Sequence, residues 1–158
     1  MTRRTIAGLC LAGLAVAAVA GAVVWAPQAE AHCQVPCGIY DDAARITRLR
    51  EDTTTIAKAM RSIAELADKH DVQSLNQIVR WINTKEEHAS HIIQVVSEYF
   101  LTQKVKPVAA GTEGYEDYLK TLADHHAVMV AAMKAKQNTD PDFADELSQA
   151  IDALAKHY

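Results

Sequence analysis

Between Ile46 and Leu154 the apolar residues return in steps of three and four, and they never alternate in steps of two. Ile46, Leu49, Thr53, Ile56, Met60, Ile63 and Ala67 make the first such row. At about 3.6 residues per turn this spacing lays one continuous stripe along a helix, whereas a half-buried strand needs period two. Asp41 or Asp42 can cap the start of that helix, and Asp71 the start of a second, longer one. The second row includes Val72, Leu75, Val79, Ile82, Ala89, Ile93, Val96 and Phe100 and fades before Pro107. Residues 107–114, with two glycines, read as a loop. A third helix is expected from about Tyr115 to Gln137, with Tyr118, Leu122, His125, Met129 and Met133 inward. Asn138-Thr139-Asp140-Pro141 is a stop followed by a cap-and-proline start. Phe143, Leu147, Ile151 and Leu154 line the last helix. Four amphipathic helices with short connections imply an all-α fold, an antiparallel up-and-down four-helix bundle.

Ahead of the bundle, Met1 to Ala31 reads as an export signal. Arg3 and Arg4 form a basic start, Ile6 to Ala26 is apolar, Pro27 breaks the run, and Ala29-Glu30-Ala31 is a small-x-small cleavage site. The arginine pair is compatible with twin-arginine as well as general export. The apolar run is also about as long as the roughly 20 residues that span a bilayer, so an uncleaved anchor is the alternative. The expected division is a cleaved segment 1–31 and one domain over 32–158, large enough for a modest core. The chain has 16 Lys+Arg and 20 Asp+Glu; removing Arg3, Arg4 and Glu30 leaves 14 against 19, a formal charge of −5. That balance disfavours nucleic acid or an anionic membrane surface as partner.

The bundle itself offers no obvious metal centre. A carboxylate-bridged di-iron site needs Glu-x-x-His pairs, and no Glu here has His three residues later. His88 and His91, three apart beside Lys85, Glu86 and Glu87, are expected at a polar face or a subunit contact. His125 and His126 follow Asp124, and three neighbours cannot share one helical face. His70 and His157 are expected to face solvent near helix ends.

The chemistry concentrates instead in His32-Cys33-Gln34-Val35-Pro36-Cys37-Gly38-Ile39-Tyr40. Of three cysteines, Cys33 and Cys37 survive cleavage. A disulfide between them would close a tiny loop and stabilise little, because loop-closure entropy grows with loop length. Cleavage after Ala31 gives His32 a free amine beside its imidazole, and Cys33 adds an amide nitrogen and a thiolate. Cys37 supplies a second thiolate. Two nitrogens and two sulfurs in a plane suit square-planar Ni(II) or Cu(II). The His32 imidazole, on the same residue as the amine, reaches only an axial position, where it favours the higher oxidation state. Pro36 and Gly38 shape the turn. Tyr40 stands ready to cover the open axial face.

His-Cys-x-x-Pro-Cys-Gly-x-Tyr at a processed N-terminus closely resembles the nickel superoxide dismutases. The motif is present at His32, Cys33, Pro36, Cys37, Gly38 and Tyr40, and Ser97-Glu98-Tyr99-Phe100 with Lys106-Pro107 is also similar. The resemblance implies a four-helix-bundle protomer with an N-terminal nickel hook, a homohexamer, one nickel ion per subunit, and disproportionation of superoxide to oxygen and hydrogen peroxide. It implies ligation by the His32 amine and imidazole, the Cys33 amide and thiolate, and the Cys37 thiolate, with Tyr40 and Tyr99 lining the approach to nickel. Where better-known members place a Glu and an Arg against the axial imidazole, this chain has Thr47 and His88. Gln34 replaces a common acidic residue. The leader resembles an export signal more than a short cytoplasmic pro-segment. Signal peptidase would then unmask the hook, and the mature protein would be periplasmic or extracellular, free of the membrane. Two other readings remain at this point. One is a secreted copper- or nickel-binding bundle without turnover; the other is a membrane-anchored thiol protein using Cys33 and Cys37 as a redox pair.

Overall fold

Asp41 starts the first helix by accepting a hydrogen bond from the Ala44 amide at 3.0 Å, and Asp71 starts the second by accepting from the Ser74 amide at 2.9 Å. Side-chain oxygens here satisfy amides that have no partner within the first turn. The computed structural model describes residues 40–158. It shows α1 (Asp42–Leu66), α2 (Val72–Gln94), a π-helix that continues α2 (Val95–Lys104), α3 (Tyr115–Gln137), α4 (Asp142–Leu154) and a final 3-10 turn (Ala155–His157). The described residues contain no strand. Gly111 and Gly114 in the connection to α3 have φ of 80° and 82°, a conformation glycine adopts without penalty.

The helices form a bundle in which each packs on its sequence neighbours and α4 closes against α1. Cross-helix pairs give the directions. Asp52, midway along α1, meets His88 and His91, late in α2, while Lys58, further along α1, meets Trp81, earlier in α2. Lys134, late in α3, meets Glu146, early in α4, and Arg50 of α1 meets Asp152 at the far end of α4. Consecutive helices therefore run antiparallel. Leu49, Ile56, Met60, Ile92, Val96, Phe100, Val128, Leu147, Ile151 and Leu154 are fully buried at the centre. Among the described residues no helix is long and apolar enough to cross a membrane.

Three expectations change. The first half of the α2 stripe does not face a core: Val72 is 85% exposed, and Leu75, Val79 and Ile82 are exposed too. Lys85 explains why. Its buried ammonium donates to the carbonyls of Ala135 (2.9 Å) and Lys136, at the C-terminal end of α3. Residues of α2 before Lys85 thus run past the end of α3. There Lys58 lies over the Trp81 ring at 5.6 Å. In α3 the buried row is His125, Val128, Ala131, Ala132 and Ala135, and Met133 is exposed. Successive steps of four turn a row about 40° each around the helix, so Met133 has rotated off the face that Met129 still borders. Ala67, expected on the α1 stripe, is exposed just past the helix end.

Lys85→Met keeps the apolar stem but leaves both α3 carbonyls without their donor. The expected cost is about 1–3 kcal/mol, read from urea unfolding followed by circular dichroism.

Candidate functional site

The π-helix sets the site. The backbone N–H of Val105 donates to the Phe100 carbonyl, five residues back, at 2.9 Å, and two side chains reach back equally far: the Thr102 hydroxyl donates to the Ser97 carbonyl at 2.7 Å and Gln103 Nε2 to the Glu98 carbonyl at 3.0 Å. Such wide turns place an extra residue in each loop of backbone and gather at functional positions. Here they turn Tyr99 and Phe100, consecutive residues, toward the start of α1 and the bundle centre.

Tyr99 is 4% exposed. Its hydroxyl accepts from the Asp41 amide at 2.9 Å and donates to Asp42 Oδ1 at 2.7 Å. Burial, reinforced by the Asp42 carboxylate, pushes its phenol up to about 12, so it keeps its proton at neutral pH. Tyr40 packs edge-on against it with centroids 5.8 Å apart. Two cations flank the pair. The Arg45 guanidinium lies 4.9 Å from the Tyr99 centroid, and Lys104 Nζ lies 4.5 Å from that of Tyr40 while pairing with Asp42 at 2.9 Å.

Behind Tyr99 the aromatic contacts continue. Phe100 meets Tyr99 at 5.0 Å and Tyr158 at 4.4 Å. His125 is fully buried. Its Nδ1–H donates to the Thr121 carbonyl at 2.7 Å, which leaves Nε2 to accept from the Tyr158 hydroxyl at 2.8 Å. Burial holds His125 below the usual histidine value and raises the Tyr158 phenol. His157, expected in solvent, is half-buried and bonds Asp124 at 2.7 Å, because the 3-10 turn folds it back onto α3. Hydrogen bonds from Lys120 and His157 hold the Asp124 carboxyl below its ordinary range.

His88 and His91 share a partner that sequence reasoning missed. Asp52 is buried in α1, and its two oxygens take the two Nδ1 atoms at 2.7 and 2.6 Å. The three residues line a cleft with Arg45, Arg48 and Glu87. Thr47, exposed, donates its hydroxyl back to the Ala43 carbonyl at 3.0 Å. Thr47 and His88 are thus committed to separate partners. Among the described residues no group of three His, Cys, Asp or Glu side chains could hold a metal ion.

Of the residues singled out from the sequence, Tyr40 and Tyr99 come together, while His32, Cys33 and Cys37 lie outside the described residues. The model of the family described as nickel-containing superoxide dismutase matches residues 27–158. The chain belongs to that family. It is therefore an oxidoreductase, a superoxide dismutase with a nickel cofactor. No curated protein and no solved structure gives a significant match. Asp42, Lys104, His125 and Tyr158, which complete the surroundings of the tyrosine pair, were not singled out for that role. Asp42 had a local signal, being next but one to Tyr40; the others are distant in sequence.

His125 makes the enzyme's stability depend on pH. Its ordinary value is 6.5, and burial lowers it in the folded state. Its contribution is therefore complete above about 6.5. As pH falls below that, the unfolded chain takes up a proton that the folded chain refuses, and stability declines until the folded form protonates as well. The melting temperature of the wild type should fall more between pH 7 and pH 5 than that of His125→Gln. Equal falls would show that His125 carries no such penalty.

Proposed function

We propose that the enzyme works from a processed N-terminus at His32. Nickel would be held by the His32 amine and imidazole, the Cys33 amide and thiolate, and the Cys37 thiolate. The donor chemistry fits: thiolates and anionic nitrogen are strong donors that suit square-planar Ni(II) and lower the potential of its oxidised state. When bound, nickel supplies one-electron cycling between Ni(II) and Ni(III), by which one superoxide leaves as oxygen and the next, with two protons, as hydrogen peroxide.

The observation that carries this reading is the pairing of Tyr40 with Tyr99. Tyr40 stands three residues after Cys37, so their Cα atoms are at most about 11 Å apart. A residue tied that closely to a hook ligand is packed, through Tyr99, onto the first turn of α1. The two hydroxyls have different duties. That of Tyr99 is spent on Asp41 and Asp42 and positions the pair. That of Tyr40 has no hydrogen-bond partner among the described residues and is the one available to order a small anion or water. Arg45, over the Tyr99 ring, favours approach of an anion, the Lys104 charge being shared with Asp42. Holding peroxide off the thiolates would limit their irreversible oxidation.

The same reading extends to export and assembly. Signal peptidase would cut between Ala31 and His32, delivering the enzyme to the periplasm or the extracellular space. The exposed row Val72, Leu75, Val79 and Ile82 supports association of copies, in keeping with a homohexamer, because such a row costs free energy in water.

One added residue tests the central claim. A chain beginning Met-His32 turns the amine ligand into an amide, and should retain little nickel and lose nearly all activity beside protein with an authentic His32 terminus. Full nickel content and activity in the extended chain would overturn it. In the same assays Cys33→Ser and Cys37→Ser should abolish activity while leaving helix content near that of the wild type.

A further inference from the structure

We propose that Tyr158 and His125 form a redox-active phenol–imidazole pair, the inner terminus of an aromatic relay that leads from Tyr40 through Tyr99 and Phe100 and drains one-electron oxidising equivalents away from the hook thiolates. The proposal rests on the reading that Cys33 and Cys37 hold the metal.

The rings form an unbroken series. Centroid separations run 5.8 Å from Tyr40 to Tyr99, 5.0 Å from Tyr99 to Phe100 and 4.4 Å from Phe100 to Tyr158. Tyr40 is the partly exposed outer member, and Tyr99 and Phe100 are buried. Contiguity alone would be ordinary core packing. The two inner tyrosines, however, each donate to a proton acceptor. A phenol that loses an electron becomes a strong acid, so its oxidation near neutral pH requires somewhere for the proton to go. Tyr99 has the Asp42 carboxylate at 2.7 Å, and Tyr158 has His125 Nε2 at 2.8 Å.

The Tyr158 acceptor is set for this task. The Thr121 carbonyl holds the His125 proton on Nδ1, so the Nε2 lone pair faces the phenol. Burial keeps the imidazole neutral at rest, so the Nε2 lone pair is free to accept, and the same burial returns the proton promptly once the phenol is reduced. Burial also keeps Tyr158 protonated, so its electron and proton must leave together. The Thr121 carbonyl favours the imidazolium that forms, His157 opposes it, and the Asp124 carboxylate behind His157 offsets part of that opposition.

The step balances. A one-electron oxidant at the hook, of the class that peroxide and a redox metal produce, gains one electron from the Tyr158 phenol by way of Phe100 and Tyr99. The phenolic proton moves to His125 Nε2. Tyr158 is left a neutral radical and His125 an imidazolium. Superoxide, the substrate, resets the pair: it gives one electron to Tyr158 and leaves as oxygen, while the proton returns from His125. A cleft of about 270 Å³ serves that return, because Tyr158 lines it together with Lys104, Lys106 and His157. Tyr158 is 38% exposed and borders the cleft, while its hydroxyl faces His125.

The first test uses the full chain without metal. Photo-oxidation with tris(bipyridine)ruthenium and persulfate, followed by freezing, yields tyrosyl radicals for electron paramagnetic resonance. With ¹⁵N-histidine labelling, the wild type should show a radical coupled to a histidine nitrogen. The coupling should vanish in Tyr158→Phe, which keeps the ring packed on Phe100, and in His125→Gln. A wild-type spectrum without that coupling, or one unchanged in Tyr158→Phe, overturns the proposal. The second test exposes the nickel-loaded enzyme to peroxide and follows sulfinic and sulfonic acid at Cys33 and Cys37 by mass spectrometry. Oxidation should be severalfold faster in Tyr158→Phe; an equal rate overturns the protective role. Failure of the ligand assignment would look different. The wild-type cysteines would then oxidise equally with and without nickel, and the metal-free radical result would be unaffected.

Discussion

The Tyr99 hydroxyl bridges two parts of the chain 57 and 58 residues apart, donating to Asp42 and accepting from the Asp41 amide. Asp41 is at once the cap of α1, through its own carboxylate. One turn of backbone therefore fixes the start of the first helix, the phenol of the π-helix and, through ring packing, the direction in which Tyr40 leaves α1. Removing this bridge would leave the bundle core largely intact but would loosen Tyr40 from the first turn of α1. The buried polar groups around it are all paired, and among the described residues no buried side-chain nitrogen or oxygen lacks a partner. In a low-dielectric setting such complete pairing favours one geometry over its neighbours.

A second polar device works at the C-terminal end of α3. Lys85 occupies a position where an apolar side chain would ordinarily pack, and it terminates α3 by binding its last carbonyls. The same contact divides α2 into a half that faces the core and a half that extends beyond it. Asp52 serves α1 and α2 similarly, meeting two imidazoles one turn apart. These side chains set the axial register of the helices, which apolar packing alone specifies loosely.

The local features of the fold were legible. Ile46, Leu49, Thr53, Ile56, Met60 and Ile63 are all buried as their period required, and Asp41 and Asp71 cap where they were expected to. The exposed row from Val72 to Ile82 was not legible, because a stripe reads the same whether or not a third helix lies opposite it. The face of α3 was misjudged because alanines, which line it here, carry no contrast in a hydropathy pattern, whereas Met133 does. At the site, Tyr40 and Tyr99 were found through their resemblance to a family motif, not through periodicity. His125 was expected inward, but its bond to Tyr158 spans 33 residues and that of Asp52 to His88 spans 36. No spacing rule reaches that far. The π-helix left no trace either, since its sequence continues the α2 row to Phe100 without a break.

The wide winding of the π-helix bears on how the site could have come about and how it could be lost. A wide turn holds one residue more than an α-turn, and each residue in a helix carries its neighbours about 100° around the axis. The orientation of Tyr99 toward Asp42 is thus a matter of phase, set by the number of residues between Ile92 and Tyr99 as much as by their identity. The same residues wound as a regular α-helix would keep every apolar side chain, yet would turn the phenol by roughly a quarter turn away from α1. The winding of the segment is thus as much a functional character of the chain as its residues are.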